Sequence, residues 1–292
     1  MFEGWNVGVV VPARDEEEFL PEVLSTMPSI VDLVVVVDDG SSDGTADVVK
    51  GADLVTLDGQ GVGAAIDAGH QHLLATMERP FISVVMAGDG QMDPNDLPAL
   101  LKPIVESKAH HVKGERIERA GKMPLLRRFG TALLAFFTTL ACGQSIRDPQ
   151  CGYTATAHEV LVQWDWNNSW KGYGYPNWWL MHLTKEGWHI AHVPVKAVYG
   201  DQNSGISVPS FFFKVSAMLF IGLHKRQFNW LPDLISSHPI PLILASTYIL
   251  GWLGIFYAIS GKTLALVFTL VLWWSTHRLD RIFVDVMRRP LE

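Results

Sequence analysis

Cysteine is scarce in this sequence, and long runs of basic residues are absent. Only Cys142 and Cys151 occur among the 292 residues, in no spacing typical of metal ligands. This argues against a disulfide framework and a structural zinc site, and it fits a reducing compartment. The formal net charge of -7 and the lack of a Lys/Arg run argue against nucleic acid as a partner, since duplex binding needs a basic surface.

The amino terminus also lacks the features of a secretion signal. No basic segment precedes the first apolar run at Val7, and no small-residue cleavage site follows it. We therefore expect the amino-terminal domain to stay in the cytoplasm.

Apolar residues, by contrast, are abundant and make up 48% of the chain. Residues 239–260 contain no charged residue, and about 20 apolar residues suffice to cross a bilayer. The apolar run at 263–274 is shorter, so a second span needs the mixed residues as far as His277. We predict two transmembrane helices with a cytoplasmic tail in residues 237–292.

Basic residues flank this predicted hairpin on both sides, and its connector offers only Lys262. By the positive-inside rule, both ends of the hairpin should face the cytoplasm, which makes the protein a multi-pass membrane protein. The flanking residues are Lys225, Arg226, Arg278, Arg281, Arg288 and Arg289.

Residues 207–236 are predicted to form interfacial amphipathic helices between the first domain and the hairpin. The apolar face ends in His224, Lys225 and Arg226, as expected for a helix that lies in a membrane interface. Packing of the same face on the protein core is the alternative. The residues of this face are Phe211, Phe212, Val215, Met218, Leu219 and Leu223.

Residues 1–206 alternate short β-branched runs with helical patterns, which is typical of an α/β domain with a mostly parallel sheet flanked by helices. The sequence predicts strands at 7–11, 33–37, 54–57 and 81–86. It predicts helices at 16–27, 45–50, 63–76, 131–141 and 177–185. The fully apolar strands 33–37 and 82–86 should lie in the centre of the sheet.

Polar turns follow three of these strands, at the strand ends where open α/β sheets bind ligands. The turns are PARDEE at 12–17, DDGSSDGT at 38–45 and AGDGQMDP at 87–94. Asp89, Gln91 and Asp93 in the third turn offer the hard oxygen ligands that suit Mg²⁺ or Mn²⁺. A glycine cluster at 59–63 superficially suggests a phosphate loop, but no Gly-Lys-Ser/Thr follows it.

These motifs resemble, in order, those of the family 2 glycosyltransferases of GT-A fold. The resemblance is to the polyprenyl-phosphate hexosyltransferases, which include dolichol-phosphate mannose synthases and dolichyl- or undecaprenyl-phosphate glucosyltransferases. It rests on VVPARDEE, VVDDGSSDGT and GDGQMDP on the donor side, and on KGER, PLLRRFGT and RDPQCGYTA on the acceptor side.

The resemblance implies a role for individual residues. Asp89 and Gln91 would hold the metal, Mg²⁺ or Mn²⁺, and Asp148 would orient the acceptor or act as a base. The residues expected around the nucleotide are Pro12, Ala13, Asp15, Glu16, Asp39, Gly61 and Asp89. Those expected at the acceptor phosphate are Arg116, Arg127 and Arg128, and those counted as catalytic are Asp89, Asp148 and Arg127.

The chain departs from the family pattern at two positions. Ala87 replaces the first acidic residue of the metal motif, and Val62 stands where the glycine loop often has a basic residue. These departures lean toward a UDP-hexose donor over GDP-mannose. They also leave open a catalytically silent, membrane-anchored nucleotide-sugar binding module.

The resemblance implies inverting transfer of a hexose from a nucleotide-sugar to a polyprenyl phosphate. A processive polysaccharide synthase is the other enzymatic alternative, although residues 227–230 lack the arginine of its usual Gln-x-x-Arg-Trp motif. The expected partners are a nucleotide-sugar donor, a polyprenyl phosphate and the membrane. The sequence leaves a homo-oligomer open.

Overall fold

The computed structural model describes residues 1–116, 125–196, 208–229, 240–286 and 288–291. Within 125–129, 208–210 and 228–229 it describes the backbone but not the side chains. The side chains of Arg127 and Arg128, Trp230 and the predicted domain boundaries at 206 and 236 therefore lie outside the described residues.

Seven strands form one mixed sheet in the order β3-β2-β1-β4-β6-β5-β7. Strand β6 runs antiparallel to its neighbours β4 and β5, and the other neighbouring pairs are parallel. All strands except β6 thus end at one edge of the sheet, and β6 begins there. The strands are β1 (Asn6–Ala13), β2 (Leu33–Asp39), β3 (Asp53–Leu57), β4 (Phe81–Val85), β5 (His111–Arg116), β6 (Thr154–Ala157) and β7 (Ile190–Val195).

The architecture confirms the predicted α/β class with a mostly parallel sheet. As predicted, β4 lies in the centre and is buried throughout, whereas β2 lies next to the edge strand β3 but is still largely buried. The helices are α1 (Leu20–Ser25), α2 (Val62–Thr76), α3 (Leu97–Val105), α4 (Leu125–Cys142), α5 (His158–Gln163), α6 (Tyr175–Lys185), α7 (Val208–Asn229), α8 (Ile240–Ile259) and α9 (Leu264–Val286).

Helices cover both faces of the sheet because successive strand residues point to opposite sides. Val9 and Val11 of β1 pack in a cluster with residues of α1 and α3, whereas Val10 packs with residues of α2, α5 and α6. The parallel strands are therefore apolar on both faces, as buried parallel sheets require.

Two predicted helices were wrong in extent. Instead of a helix over 16–27, the chain forms only α1, since residues 17–19 form a turn that leads into it and Asp15, with φ +55°, lies outside the helical region. Residues 45–48 form turns rather than a helix, and the predicted helix segment is followed by Gly51 with φ +71°. The other predicted helices of the domain correspond to α2, α4 and α6.

The apolar face of α7 lies against protein rather than lipid. Val215, Met218 and Leu219 are buried in a cluster with residues of α4 and α6, and Phe211, Phe212 and Leu223 pack on the same cluster. The assignment of this face to the membrane was therefore wrong, and the alternative of core packing was right. The opposite side of α7 exposes Phe213, Phe220 and Ile221.

Helices α8 and α9 pack against each other as a pair. Within the described ranges, α8 is the one helix long and apolar enough to cross a membrane. Helix α9 begins apolar, but from residue 278 onward it carries charged residues, among them Arg278, Asp280 and Arg281. The structure thus supports one apolar candidate span where the sequence predicted two.

Candidate active site

The three polar turns meet at one edge of the sheet. Strand β1 lies between β2 and β4, and all three are parallel, so their carboxyl ends are neighbours. Ala13 is paired with Asp38, and the N–H of Gly88 donates to the Pro12 carbonyl at 3.1 Å. Ala13 is buried and Pro12 partly buried. The predicted donor turns are thus held together by main-chain contacts.

Asp15 connects the first turn to the second. Its φ is +55°, and its Oδ1 accepts hydrogen bonds from the N–H and hydroxyl groups of Ser42, at 2.7 Å and 3.0 Å. Glu17 makes a similar contact, since its Oε2 accepts from the N–H of Gly44 at 3.0 Å. The acidic residues after β1 therefore shape the Gly/Ser/Asp turn after β2, a function that their spacing in the sequence does not show.

Asp39 is buried at the end of β2 and holds the glycine-rich turn. Its two carboxylate oxygens accept from the N–H groups of Gln60, at 2.6 Å, and Gly61, at 2.7 Å. Gly61 has a φ of +102°, which favours glycine. The predicted donor residues Asp39 and Gly61 thus lie in direct contact, and this contact fixes the rim of the candidate nucleotide pocket.

At the start of α2, main-chain N–H groups that could bind a phosphate bond to a protein carbonyl group instead. The carbonyl oxygen of Lys171 accepts from the N–H groups of Gly63, at 2.8 Å, and Ala64, at 3.2 Å. The Lys171 ammonium group pairs with the buried Asp67 at 2.8 Å. Burial raises the pKa of Asp67 although Lys171 and Ser169 lower it. These donors of the helix start are therefore engaged by the segment around Lys171.

Sequence reasoning missed Asp67 and Lys171. They lie 104 residues apart, and each has the appearance of an ordinary polar surface residue in the sequence. The glycines carried the usable signal: a Cβ at Gly61 would lie 2.5 Å from the Lys171 carbonyl oxygen, and one at Gly63 would lie 2.1 Å from that of Trp170. Glycine at these positions indicates close approach of another segment.

The Glu16 and Asp89 carboxyl groups lie close enough at this edge for their charges to interact. Burial, followed by the charges of Asp89, Asp43 and Asp15, raises the pKa of Glu16 to about 7. Burial also raises the pKa of Asp89, whose Oδ1 accepts from the Gln91 N–H at 3.0 Å. Excess negative charge in a partly buried setting favours a bound cation.

The donor set at this point fits a divalent cation that is completed by substrate. The described residues contain no group of three or more His, Cys, Asp or Glu side chains able to hold a metal alone. Asp89 with the exposed Gln91 side chain supplies two hard oxygen ligands, and Mg²⁺ commonly takes its other ligands from phosphates and water. Ala87 contributes no ligand, and its N–H contacts the Met92 sulfur at 3.3 Å.

The predicted acceptor residues Arg116 and Asp148 form an ion pair at the same edge. Arg116 ends β5, which runs in the same direction as β4, and Asp148 precedes β6, which begins at this edge. Asp148 is buried and accepts from Nε of Arg116 at 2.9 Å and from Nη2 at 3.2 Å. A buried carboxylate thus orients a partly exposed guanidinium group.

The donor and acceptor motifs also contact each other directly. The Tyr153 hydroxyl donates to the Asp93 carbonyl at 3.1 Å, and Gly152 leaves room for Met92, because a Cβ there would lie 3.2 Å from the Met92 methyl group. The segment 147–155 is therefore packed on the metal-motif turn. Arg127 and Arg128 lie in the first turns of α4, and their side chains are outside the described set.

A second polar network, which sequence reasoning did not identify, supports the acceptor motif. The fully buried Asn177 of α6 donates to the Thr138 hydroxyl on α4 at 2.7 Å and accepts from the Gln150 amide. Tyr175 is also buried, and its hydroxyl lies 3.4 Å from the Gly152 carbonyl. Most of the aromatic residues between 164 and 179 pack in the core, whereas Tyr173 is 54% exposed.

Comparisons with known proteins concern the family and the fold. The model of the family described as Glycosyl transferase family 2 matches residues 8–163. The UDP-N-acetylglucosamine–dolichyl-phosphate N-acetylglucosaminyltransferase of Methanococcus voltae is 26% identical over 217 residues, covering 66% of this chain and 86% of the relative. The undecaprenyl-phosphate mannosyltransferase of Micrococcus luteus is 31% identical over 209 residues, covering 66% of this chain and 84% of the relative.

Among solved structures, the chain is similar to glucosyl-3-phosphoglycerate synthase of Mycobacterium tuberculosis in complex with UDP. The TM-score is 0.60 at 21% sequence identity, and the match covers 76% of this chain and 81% of the synthase. The same synthase has been solved with UDP and either Mn²⁺ or Mg²⁺. At this identity the likeness establishes the shared fold.

Proposed function

The chain belongs to glycosyl transferase family 2, and we propose that it transfers a hexose from a nucleotide-sugar to a polyprenyl phosphate at a membrane surface. Glycosyl transfer is the activity of the family. The lipid acceptor and the residues that serve the reaction are inferences from the site, supported by relatives whose names specify dolichyl and undecaprenyl phosphate acceptors.

The observation that carries the proposal is the common edge shared by the carboxylates and the guanidinium group. Asp39, Glu16 and Asp89 follow β2, β1 and β4, and the Arg116–Asp148 pair lies across the sheet at β5 and β6. A donor diphosphate on the acidic side and an acceptor phosphate on the arginine side would then meet over the end of β4. In this proposal, the donor and acceptor charges lie on opposite sides of the reacting carbon.

The chemistry required of these residues is positioning and charge neutralisation. An oxygen of the lipid phosphate forms a bond to the anomeric carbon while the bond from this carbon to the donor diphosphate breaks, with inversion. The electron pair leaves with the nucleoside diphosphate, and a divalent cation held by Asp89 and Gln91 would neutralise charge there. The acceptor phosphate is already ionised near neutral pH, so Asp148 serves by orienting Arg116 and not by removing a proton.

We assign Pro12, Ala13, Asp15, Glu16, Asp39 and Gly61 to the nucleotide pocket. Asp15 and Asp39 act there mainly through the turns that they hold, since Ser42 and Gly61 already occupy their carboxylates. One of Arg127 and Arg128, at the start of α4, joins Arg116 in binding the acceptor phosphate. Forked guanidinium donors suit phosphate oxygens.

Exposed apolar surface supports a membrane location. Helix α8 exposes a series of large apolar residues, among them Leu253 at 56% and Phe256 at 66%. Helices α4 and α7 pack together, and their outer sides expose Phe136 and Phe213 at 57% and 75%. Such a surface is costly in water but suits an interface of headgroups and acyl chains.

The carboxyl-terminal tail supports the predicted topology. Arg289 lies over the Trp188 ring at 3.8 Å from its centroid, and its Nε donates to the Glu186 carbonyl at 2.9 Å. The chain after α9 thus returns to the catalytic domain. If α8 spans the bilayer, the apolar start of α9 crosses back, and both ends of the pair lie on the cytoplasmic side.

A donor panel tests the proposal. Purified full-length protein in lipid nanodiscs is incubated with undecaprenyl or dolichyl phosphate and radiolabelled UDP-glucose, UDP-N-acetylglucosamine or GDP-mannose. We expect Mg²⁺- or Mn²⁺-dependent label in the organic phase with one donor, favouring a UDP-hexose. Asp89→Asn should abolish it, and Asp47→Asn, at an exposed site, should not. Absence of lipid-linked label with every donor and both acceptors would refute the proposal.

A further inference from the structure

A buried ion pair joins α7 to α9, where the catalytic domain meets the proposed anchor. Nε of Arg226 on α7 donates to the two carboxylate oxygens of Asp280 on α9, at 2.9 Å and 3.2 Å. Arg226 is 4% exposed and Asp280 is 0% exposed. The pair is therefore shielded from solvent, although both residues belong to helices with large exposed apolar surfaces.

Helix α4 ends directly against this pair. A Cβ on Gly143, which follows α4 with φ +67°, would lie 2.8 Å from Nη2 of Arg226 and 2.8 Å from Oδ2 of Asp280. The neighbouring Cys142 is buried and hydrogen-bonded to Thr184 of α6, and burial raises the pKa of its thiol to about 12. Four helices, α4, α6, α7 and α9, thus converge on one junction.

Stability alone does not explain a charged pair at this junction. Apolar residues of similar volume often replace a buried ion pair without loss of stability, because desolvation offsets the attraction. A buried pair does favour one arrangement of the helices that carry it, since any other arrangement leaves a buried charge without its partner. A role in fixing the relative arrangement of these helices accounts for the pair better than a role in stability.

The ion pair can affect the direction of α4, because this helix ends against it. Arg127 and Arg128, one of which is the proposed phosphate ligand, lie at the far end of this helix, 16 and 15 residues from Gly143, or about 22–24 Å at the rise of an α-helix. A tilt of about 10° about the junction would displace them by about 4 Å, which exceeds the tolerance of a hydrogen bond.

We propose that the Arg226–Asp280 pair is a positioning device, which sets the direction of α4 relative to the anchor helices and so presents the arginines to the lipid phosphate. The proposal rests on the proposed function for the identity of the acceptor. Its structural part, the control of α4 by the pair, does not depend on that identity.

The first measurement is the distance between α4 and the sheet domain. Spin labels are attached to cysteines placed at the exposed positions Ala132 on α4 and Gln71 on α2, in the full-length protein in nanodiscs. The native Cys142 and Cys151 are buried and should not react. In the doubly apolar variant Arg226→Met with Asp280→Leu, we expect a shifted or broadened distance distribution while the protein stays folded.

The second measurement tests whether loss of the pair impairs use of the acceptor while leaving use of the donor unchanged. The doubly apolar variant should keep the donor KM and lose about tenfold or more in kcat/KM for polyprenyl phosphate, since misplacement of about 1 Å can already cost more than this. The charge-swapped variant Arg226→Asp with Asp280→Arg should lose less kcat/KM for polyprenyl phosphate than the doubly apolar variant does. A doubly apolar variant with the wild-type distance distribution and wild-type acceptor kinetics would overturn the proposal.

If the doubly apolar variant does not fold, Arg226→Lys takes its place. The ammonium keeps the charge but cannot reproduce the guanidinium geometry, so we expect a normal donor KM, a raised acceptor KM and a broader distance distribution. A wild-type distribution in this variant together with wild-type kinetics would count against the pair. Failure of the proposed function is recognised separately, as a wild-type protein that transfers no sugar to lipid while the distance measurement still responds to the variants.

Discussion

Glu16 and Asp89 repel each other across the turns that follow β1 and β4. Burial is the larger cause, and the Asp89 charge adds to it, so that the pKa of Glu16 rises from 4.5 to about 7. Asp89 itself has a raised pKa through burial. The candidate site thus disfavours a further negative charge near neutral pH, and a bound cation would offset this.

The first prediction concerns the pH dependence of stability without metal. Between pH 4.5 and 7 the folded protein holds a proton on Glu16 that the unfolded chain has lost, so the contribution of Glu16 to stability should fall as the pH rises through this window and level off above it. Buried histidines with a lowered pKa, such as His70, contribute the opposite slope, so the prediction concerns the difference between variant and wild type. The stability of Glu16→Gln relative to wild type should be lower at pH 5 than at pH 7.5. Thermal unfolding of the full chain with chelator, at pH 5 and pH 7.5, measures it.

The control for this prediction is Glu18→Gln, at an exposed position two residues away. It should retain the wild-type difference between the two pH values. Adding Mn²⁺ at pH 7.5 should stabilise the wild-type protein by mass action. A pH difference that is the same in Glu16→Gln and in wild type would show that Glu16 titrates normally.

The sequence predicted the sheet domain well because its signal is local. Buried parallel strands such as β4 are continuously apolar, and ligand turns follow such strands, so the donor-side turns could be placed at one edge without coordinates. The failure at residues 16–19 has the opposite origin. Asp15 has a φ of +55°, and the carboxylates of Asp15 and Glu17 bond to Ser42 and Gly44 in the next turn, partners that helix propensity does not reveal.

The apolar helices show a second limit of sequence reasoning. The face of α7 that carries Val215 and Met218 has the composition of a membrane-facing surface, but α4 and α6 cover it. The composition of a helix face shows that the face is apolar, but it does not show whether the face packs against protein or against lipid. The Arg226–Asp280 pair was missed for the same reason, since Arg226 had the appearance of an interfacial basic residue.

The second prediction tests the close packing at the start of α2. Gly63→Ala places a methyl group 2.1 Å from the Trp170 carbonyl oxygen, a main-chain atom that cannot move alone. We expect a loss of about 1–3 kcal/mol in the free energy of unfolding, typical of overpacking. Chemical denaturation followed by tryptophan fluorescence is the measurement.

A matched control is Gly130→Ala, since a Cβ at Gly130 meets no atom within 4 Å and the residue lies inside α4. It should stabilise the protein by roughly 0.5–1 kcal/mol through helix propensity. Equal effects of the two substitutions would contradict the close approach of residues 170–171 to α2.

The third prediction concerns the two arginines at the start of α4. Adjacent helical residues point about 100° apart, so one of the pair should face the phosphate, and we expect it to be Arg127. Arg127→Ala should lose on the order of 2–4 kcal/mol of transition-state stabilisation, as other charge contacts do, with donor affinity unchanged. Transfer rates against polyprenyl phosphate concentration, together with nucleotide-sugar binding, measure this.

Arg128→Ala is the comparison within the same helix turn. Equal loss of donor affinity in Arg127→Ala would assign this residue to the donor diphosphate. A fully active Arg127→Ala beside an inactive Arg128→Ala would show that the other arginine faces the acceptor.

The last prediction locates the membrane on the catalytic domain. Phe136 of α4 and Phe220 of α7 are 57% and 59% exposed, and a bilayer that covers α8 should also receive these rings. A fluorescent label that is sensitive to its surroundings, attached to Phe136→Cys or Phe220→Cys in the full chain, should be quenched by lipids carrying a spin label on the upper part of the acyl chain. It should be protected from iodide in the water.

The same label at Gln71→Cys, an exposed position on α2, should show the reverse. Because Cys142 and Cys151 are buried, the signal comes from the introduced residue. Quenching by iodide but not by lipid at both α4 and α7 would mean that the catalytic domain stands clear of the bilayer and that only the α8–α9 pair meets lipid.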